Sequence, residues 1–235
     1  MNFILDSFKE AFYLIITFDK ELVQIIALSL KVSLSALFIA TLLGVPFGAL
    51  LGLKKFWGRQ ILITLSNTFM GLPPVVVGLF LYLLFSRSGP LGFLVLLYTP
   101  YAMIIAQTIL AFPIVSSITQ ASIVKVPRVI KLTAETLGAN SFQIVLTIIK
   151  EARYGIMAGV CAALGRVMAE VGAILIVGGN IAGYTRVMTT TIALETDKGN
   201  FTLAMALGII LMLISFVINL LMFFIQKKGN LELLK

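Results

Sequence analysis

Five long apolar stretches organise the chain, over residues 32–53, 61–85, 91–119, 155–180 and 201–225. Each reaches or exceeds the ~20 residues that cross a hydrocarbon core as a helix. The pattern predicts five membrane-spanning helices in an all-α fold. A sixth apolar run, 11–18, is too short to cross. It is bracketed by Asp6, Lys9 and Glu10 on one side and Asp19, Lys20 and Glu21 on the other, so residues 1–21 read as an interfacial helix. There is no basic start and no small-residue cleavage site, so this segment is expected to stay in the mature protein.

Residues 22–226 therefore read as one transmembrane domain, followed by a tail over 227–235. Basic residues orient it, because Lys and Arg are retained on the cytoplasmic side. Lys54, Lys55, Arg59, Lys125, Arg128, Lys131, Lys150, Arg153, Lys227, Lys228 and Lys235 fall on one set of connections and ends, opposed there by Glu135, Glu151 and Glu232. That side is expected inside, which puts the C-terminus inside and the N-terminus outside. Lys31 and Trp57 read as interface anchors.

The connection 120–153 is far longer than the other inner one, 54–60. Within it Leu132, Leu137, Phe142, Val145, Ile148 and Ile149 recur near helical spacing. Gly138 should break this segment into two helices, with Asn140 or Ser141 capping the second. Such a helix, turn and helix suits either docking or an amphipathic pair lying on the membrane.

Composition changes the picture mainly by exclusion. Of 235 residues, 60% are hydrophobic and 12% charged, far from the roughly one quarter charged in soluble domains. The net charge is +8, but the bases sit between apolar runs rather than on one polar face, which argues against nucleic acid. With no histidine and one cysteine, Cys161, the chain has no internal disulfide, no Cys/His metal cluster and no His-based nucleophile pair. An enzyme is not expected, and no cofactor is expected in this chain. A secondary transporter would be expected to show internal repeats and several intramembrane ionisable groups, and neither is evident.

Arg166 and Glu170 are the charges deep inside a span. Their i, i+4 spacing predicts one face of the fourth helix, with Arg166 roughly 16 Å from Gly155 at ~1.5 Å per residue. They suit either a structural pair or the border of a polar pathway. Gly159, Ala163, Gly165, Ala169, Gly172 and Ala173 should let this helix pack closely. Pro46, Pro73, Pro74, Pro100 and Pro113 fall in spans or at their ends, and Gly71-Leu72-Pro73-Pro74 should bend the second span near its middle. The segment 178–200, rich in Gly and Thr, reads as an external loop. It suits either docking of a partner or a re-entrant segment offering hydroxyls to an anion, with Tyr184 and Arg186 as contact candidates.

Leu132-Thr133-Ala134-Glu135-Thr136-Leu137-Gly138 resembles the E-A-A, three residues, G signature of the membrane subunit of a binding-protein-dependent ATP-binding-cassette (ABC) importer. Ala134 and Gly138 match, Leu132 and Thr133 depart from it, and the closing L-P is absent. FWGRQ, GLPPVVVGLFLYLLFSRSGPLG and GRVMAEVGAILIVGGNIAGYTRVMTTTIALETDKGN are similar to tungstate permeases of that family, and more loosely to molybdate and sulfate ones. The resemblance implies type I importer architecture in a prokaryotic cytoplasmic (inner) membrane, and tungstate as cargo. It implies a second copy of the chain, two cytosolic ATPase subunits that hold ATP and Mg, an extracytoplasmic oxyanion-binding protein, and membrane lipids around the helices. Residues 132–138 would then couple to the ATPase, Arg166 and Glu170 would border the pathway or gate, and Tyr184 and Arg186 would meet the binding protein. The chain itself has no G-x-x-x-x-G-K-[ST] loop.

Overall fold

The computed structural model describes residues 20–232 together with Lys9, Tyr13, Ile16 and Thr17. The expected interfacial helix over 1–21 lies almost entirely outside the described residues. Every regular element among the described residues is helical: α1 (Lys20–Leu53), α2 (Arg59–Phe69), α3 (Pro74–Phe85), α4 (Pro100–Val124), α5 (Arg128–Thr136), α6 (Ser141–Glu151), α7 (Arg153–Met168), α8 (Gly172–Gly178), α9 (Met188–Asp197) and α10 (Phe201–Glu232), with a short 3-10 turn at Gly92–Leu94.

Among the described residues, three helices are long and apolar enough to cross a membrane: α1, α4 and the 201–220 part of α10. The expected second and fourth spans are each broken. Helices α2 and α3 meet at 102°, and α7 and α8 at 58°. Counting each bent pair as one crossing gives the expected five. The first break falls where the sequence placed it, because Pro74 opens α3 and Pro73, extended with φ −66° and ψ 121°, cannot continue α2.

Some boundaries differ from the expectation. Helix α1 starts at Lys20 rather than at residue 32, so Lys31 lies inside a helix instead of at its outer end. The third span starts at Pro100 rather than at 91. Val95 and Tyr98 take positive φ there, and the Thr99 hydroxyl accepts the Ala102 N–H at 3.4 Å, starting a new helix. The backbone of the expected tail stays helical to Glu232, since Gln226, Lys227 and Lys228 are good helix formers.

Two compact units divide the chain. The first comprises Met1–Ala36, Pro73–Ile109 and Gly165–Val217. In it, Leu22 and Ile25 of α1 pack with Met188 of α9 and with Ala206 and Leu207 of α10. Helix α3 lies tightly against α8. A Cβ on Gly78 would come within 2.9 Å of the Ala173 Cα, so the absence of a side chain there is a packing requirement.

The second unit comprises Leu37–Leu72, Leu110–Leu164 and Ile218–Lys235. Here Gly44, Gly48 and Gly52, one per turn of α1, face Val115, Thr119 and Ile123 of α4. A Cβ on Gly48 would reach 2.8 Å from Thr119 Cβ and closer still to the Ser116 carbonyl. Without side chains on that stripe, the two backbones can approach as small-residue motifs allow in lipid. Phe47 and Phe112 flank the crossing, with ring centroids 5.4 Å apart. Ala49, Ile123, Ile148, Ala152 and Ile156 form the adjoining core, and Gly159 of α7 rests on Ile118.

Candidate functional site

The break between α7 and α8 brings polar groups together inside the first unit. An interrupted helix leaves carbonyls and N–H groups without helical partners, and burial makes each one costly unless it is bonded. Val167 O accepts the Glu170 N–H and Gln107 Nε2, both at 3.2 Å. Glu170 O accepts the Thr189 hydroxyl at 2.8 Å. The Glu170 carboxylate, 4% exposed, accepts the Ala173 N–H at 3.1 Å and so caps α8.

This geometry corrects the expected common helix face for Arg166 and Glu170. Helix α7 ends at Met168, so the i, i+4 relation does not hold. Arg166 is exposed in the last turn of α7, and Glu170 is buried in the break just before α8. No ion pair joins them among the described residues. Each charge instead complements the nearer helix end, cation at a C-terminus and anion at an N-terminus.

Beyond α8 the chain turns sharply. Gly179 caps the helix in the left-handed region at φ 71°, and Asn180 follows at φ 50°. Thr185, fully buried, donates to Gly178 O at 2.6 Å and accepts the Ile181 N–H at 2.9 Å. The remainder of the segment read as a loop over 178–200 contains the ten-residue helix α9, with Thr189, Thr190 and Thr191 buried. Their hydroxyls are engaged within the protein: Thr190 donates to Asn180 Oδ1 at 2.9 Å and Thr191 to Val187 O at 2.7 Å. These bonds occupy the hydroxyl donors that one of the two readings of this segment would have offered to an anion.

Arg186 Nη1 meets Glu21 Oε1 at 3.5 Å, and Tyr184 stays 48% exposed beside it. Together with Gln24 and Gly183 they line an open cleft of about 270 Å³. Nearby, Glu195 accepts from Lys198 Nζ and Asn200 Nδ2, each at 2.9 Å. These bonds, first that of Lys198, hold its carboxyl below the ordinary glutamate range against the opposing effect of burial, and the charge of Arg186 acts in the same direction.

In the second unit, α5 and α6 form the expected helix, turn and helix. Gly138 adopts φ 77° with nothing within 4 Å of a would-be Cβ. The Ala139 N–H reaches Ala134 O at 3.0 Å and the Gly138 N–H reaches Glu135 O at 3.1 Å, which ends α5 in a Schellman motif. Asn140 then opens α6 through a reciprocal box: its Oδ1 accepts the Gln143 N–H at 2.9 Å while Gln143 Oε1 accepts the Asn140 N–H at 2.8 Å. Leu132, Leu137 and Phe142 remain outward, 58%, 81% and 74% exposed. Two capped helices thus hold an apolar edge at a fixed turn.

Residues 44–228 match the family of binding-protein-dependent transport system inner membrane components. This chain belongs to that family. It is 39% identical to the tungstate uptake system permease protein TupB of Peptoclostridium acidaminophilum, over 97% of this chain and all of that one. It is 43% identical to a probable anion ABC transporter permease protein of Haloferax volcanii, over 84% and 88% of the two chains. The fold is similar to that in the inward-facing MetNI methionine ABC transporter, at 16% identity, with a TM-score of 0.72 over 88% of this chain and 95% of that one.

The protein is a permease component of an ABC importer. Its break and the segment that follows α8 gather Arg166, Glu170, Tyr184 and Arg186 into one compact unit, while Leu132–Gly138 lie in the other. Sequence reading of this permease missed Gln107 and Thr189, which fasten the break. A polar Gln in a long apolar run was the available signal for the first. For the second there was only a Thr cluster already assigned to a loop.

Proposed function

We propose that this permease carries tungstate across a prokaryotic inner membrane, pairing with a second copy to form the pathway. The reading rests on 38–39% identity to tungstate permeases over 93–97% of this chain. In it, an external binding protein delivers the anion near Tyr184 and Arg186, and two cytosolic ATPases, which hold ATP and Mg, grip the turn 132–138. ATP-driven movement of the ATPases then moves α5 and α6 as short levers, biasing the permease between inward-open and outward-open states. The C-terminus and the 120–153 connection lie inside and the N-terminus outside.

Two observations support the assignment of parts. The edge of Leu132, Leu137 and Phe142 is apolar, outward and held by two caps, as suits an anchor filling a groove on another protein. Arg166 is exposed beside a helix break, whereas an arginine facing lipid at mid-membrane costs ~2.5–3.5 kcal/mol or more. It therefore faces a watery path or the second copy, with Glu170 fixed behind it.

The test is uptake in cells deprived of their own oxyanion importers and supplied with this permease, its ATPase and its binding protein. Tungsten accumulation measured by elemental analysis supports the reading. Accumulation of molybdate or sulfate in preference to tungstate assigns the permease to another member of the group.

A further inference from the structure

Behind the break between α7 and α8, the first unit contains a small pocket bordered by Gln107, Ser29, Ser33, Thr189, Met168 and Met188. Gln107 is 1% exposed, and its two amide atoms have different fates. Nε2 donates to Val167 O at 3.2 Å, while Oε1 is buried with no protein partner. Rotating the amide by half a turn would set Oε1 against the Val167 carbonyl, so the donor must face that carbonyl, and the unpartnered acceptor belongs to a side chain that lines the pocket. An orphaned buried acceptor costs ~1–3 kcal/mol.

The cavity admits the centre of a water-sized sphere over about 10 Å³, close to the ~10–15 Å³ that one water requires and far too small for a tetrahedral oxyanion. Its lining is neutral, which disfavours a cation. Ser29 is already committed, donating to Ile25 O at 2.7 Å and accepting the Met188 N–H at 2.8 Å, whereas the Ser33 hydroxyl borders the space and is 5% exposed.

We infer that this cavity is a binding site for one water molecule, which donates to Gln107 Oε1 and bridges to Ser33. The water completes the bonding of the amide that holds the loose Val167 carbonyl, so the helix break is fastened by a hydrated glutamine.

Two experiments on the purified full-length permease test this. An experimental map at water-resolving resolution should contain a single peak within hydrogen-bonding distance of Gln107 Oε1. An empty cavity, or a direct Ser33 to Gln107 bond, overturns the inference. Synchrotron radiolysis generates hydroxyl radicals from bound water in place, so buried Met168 and Met188 should oxidise in the parent protein. The Ser33→Val variant fills the space with methyl groups and should lower oxidation of both several-fold while still assembling. Should that variant fail to assemble, Ser33→Thr, which keeps the hydroxyl and adds one methyl group to the space, gives the same reading. Unchanged methionine oxidation in either assembled variant overturns the inference.

Discussion

Glu170 Oε1 accepts the N–H of Ala173 at 3.1 Å, making a carboxylate inside an apolar span the cap of a second short helix. A cap removed to Ala typically costs ~1 kcal/mol, and one kept as an amide far less. Glu170→Ala should therefore lower the unfolding midpoint of the detergent-solubilised permease, whereas Glu170→Gln should stay near the parent. If Glu170→Gln transports tungstate at the parent rate, the carboxylate serves as a cap; a large loss of uptake at parent stability assigns the charge to gating.

Arg166 occupies the last turn of α7 and is exposed. Arg166→Ala should reduce anion uptake several-fold while leaving complex assembly intact, as followed by size-exclusion and transport measurements. Transport at the parent rate would reduce Arg166 to a helix-end charge.

The stripe Gly44, Gly48 and Gly52 demands small residues where α1 meets α4. Gly48→Leu should abolish a stable fold, and Gly48→Ala should cost ~1–3 kcal/mol as overpacking does. Gly165→Ala makes the control, because nothing lies within 4 Å of that position, and should be neutral or mildly stabilising by ~0.5–1 kcal/mol. Thermal unfolding of the three variants ranks them directly.

Much of the architecture follows from elementary patterns. Apolar stretches mark the crossings, Pro73 and Pro74 mark the first bend, and Gly138 with Asn140 marks the turn between α5 and α6. Local chemistry decides each of these, so a short window of sequence suffices. The second break was not legible. The window 165–175 contains no proline, and Glu170 looks like an i, i+4 partner of Arg166 until Gln107 and Thr189, distant in sequence, are seen holding the freed carbonyls. Helix α9 was hidden similarly. Branching at Cβ lowers the helix propensity of a Thr-rich segment, but packing of Met188 against Leu22 and Ile25 overrides that preference. The glycine stripe on α1 had a clear signal in its spacing of four, which only the crossing partner α4 makes specific.

The lowered value of Glu195 gives a pH signature. A carboxyl held below its ordinary range stabilises the fold above its unfolded value, ~4.3, and that contribution is lost as pH falls through the lower folded value. The stability difference between the parent and Glu195→Gln should therefore be constant near neutrality and shrink in that acidic window. Unfolding midpoints of both proteins across the acid range check this; a difference that grows on acidification would contradict it.

At the α5 to α6 turn, Gly138→Asp forces a side chain into φ 77°, and Leu137→Asp removes an exposed apolar anchor without touching the backbone. Both should insert into the membrane, and both should lose the ATPase on co-purification. A normal complex with either would sink the assignment of this turn to coupling.

The most direct test is reconstitution of the permease with its ATPase and binding protein in proteoliposomes, with accumulated tungsten measured in the presence and absence of ATP on the ATPase side. An ATP-driven importer of this oxyanion accumulates tungstate only with ATP and the binding protein present, and does so ahead of molybdate and sulfate. Tungstate accumulation by the permease alone, driven by an ion gradient and indifferent to ATP, would contradict it.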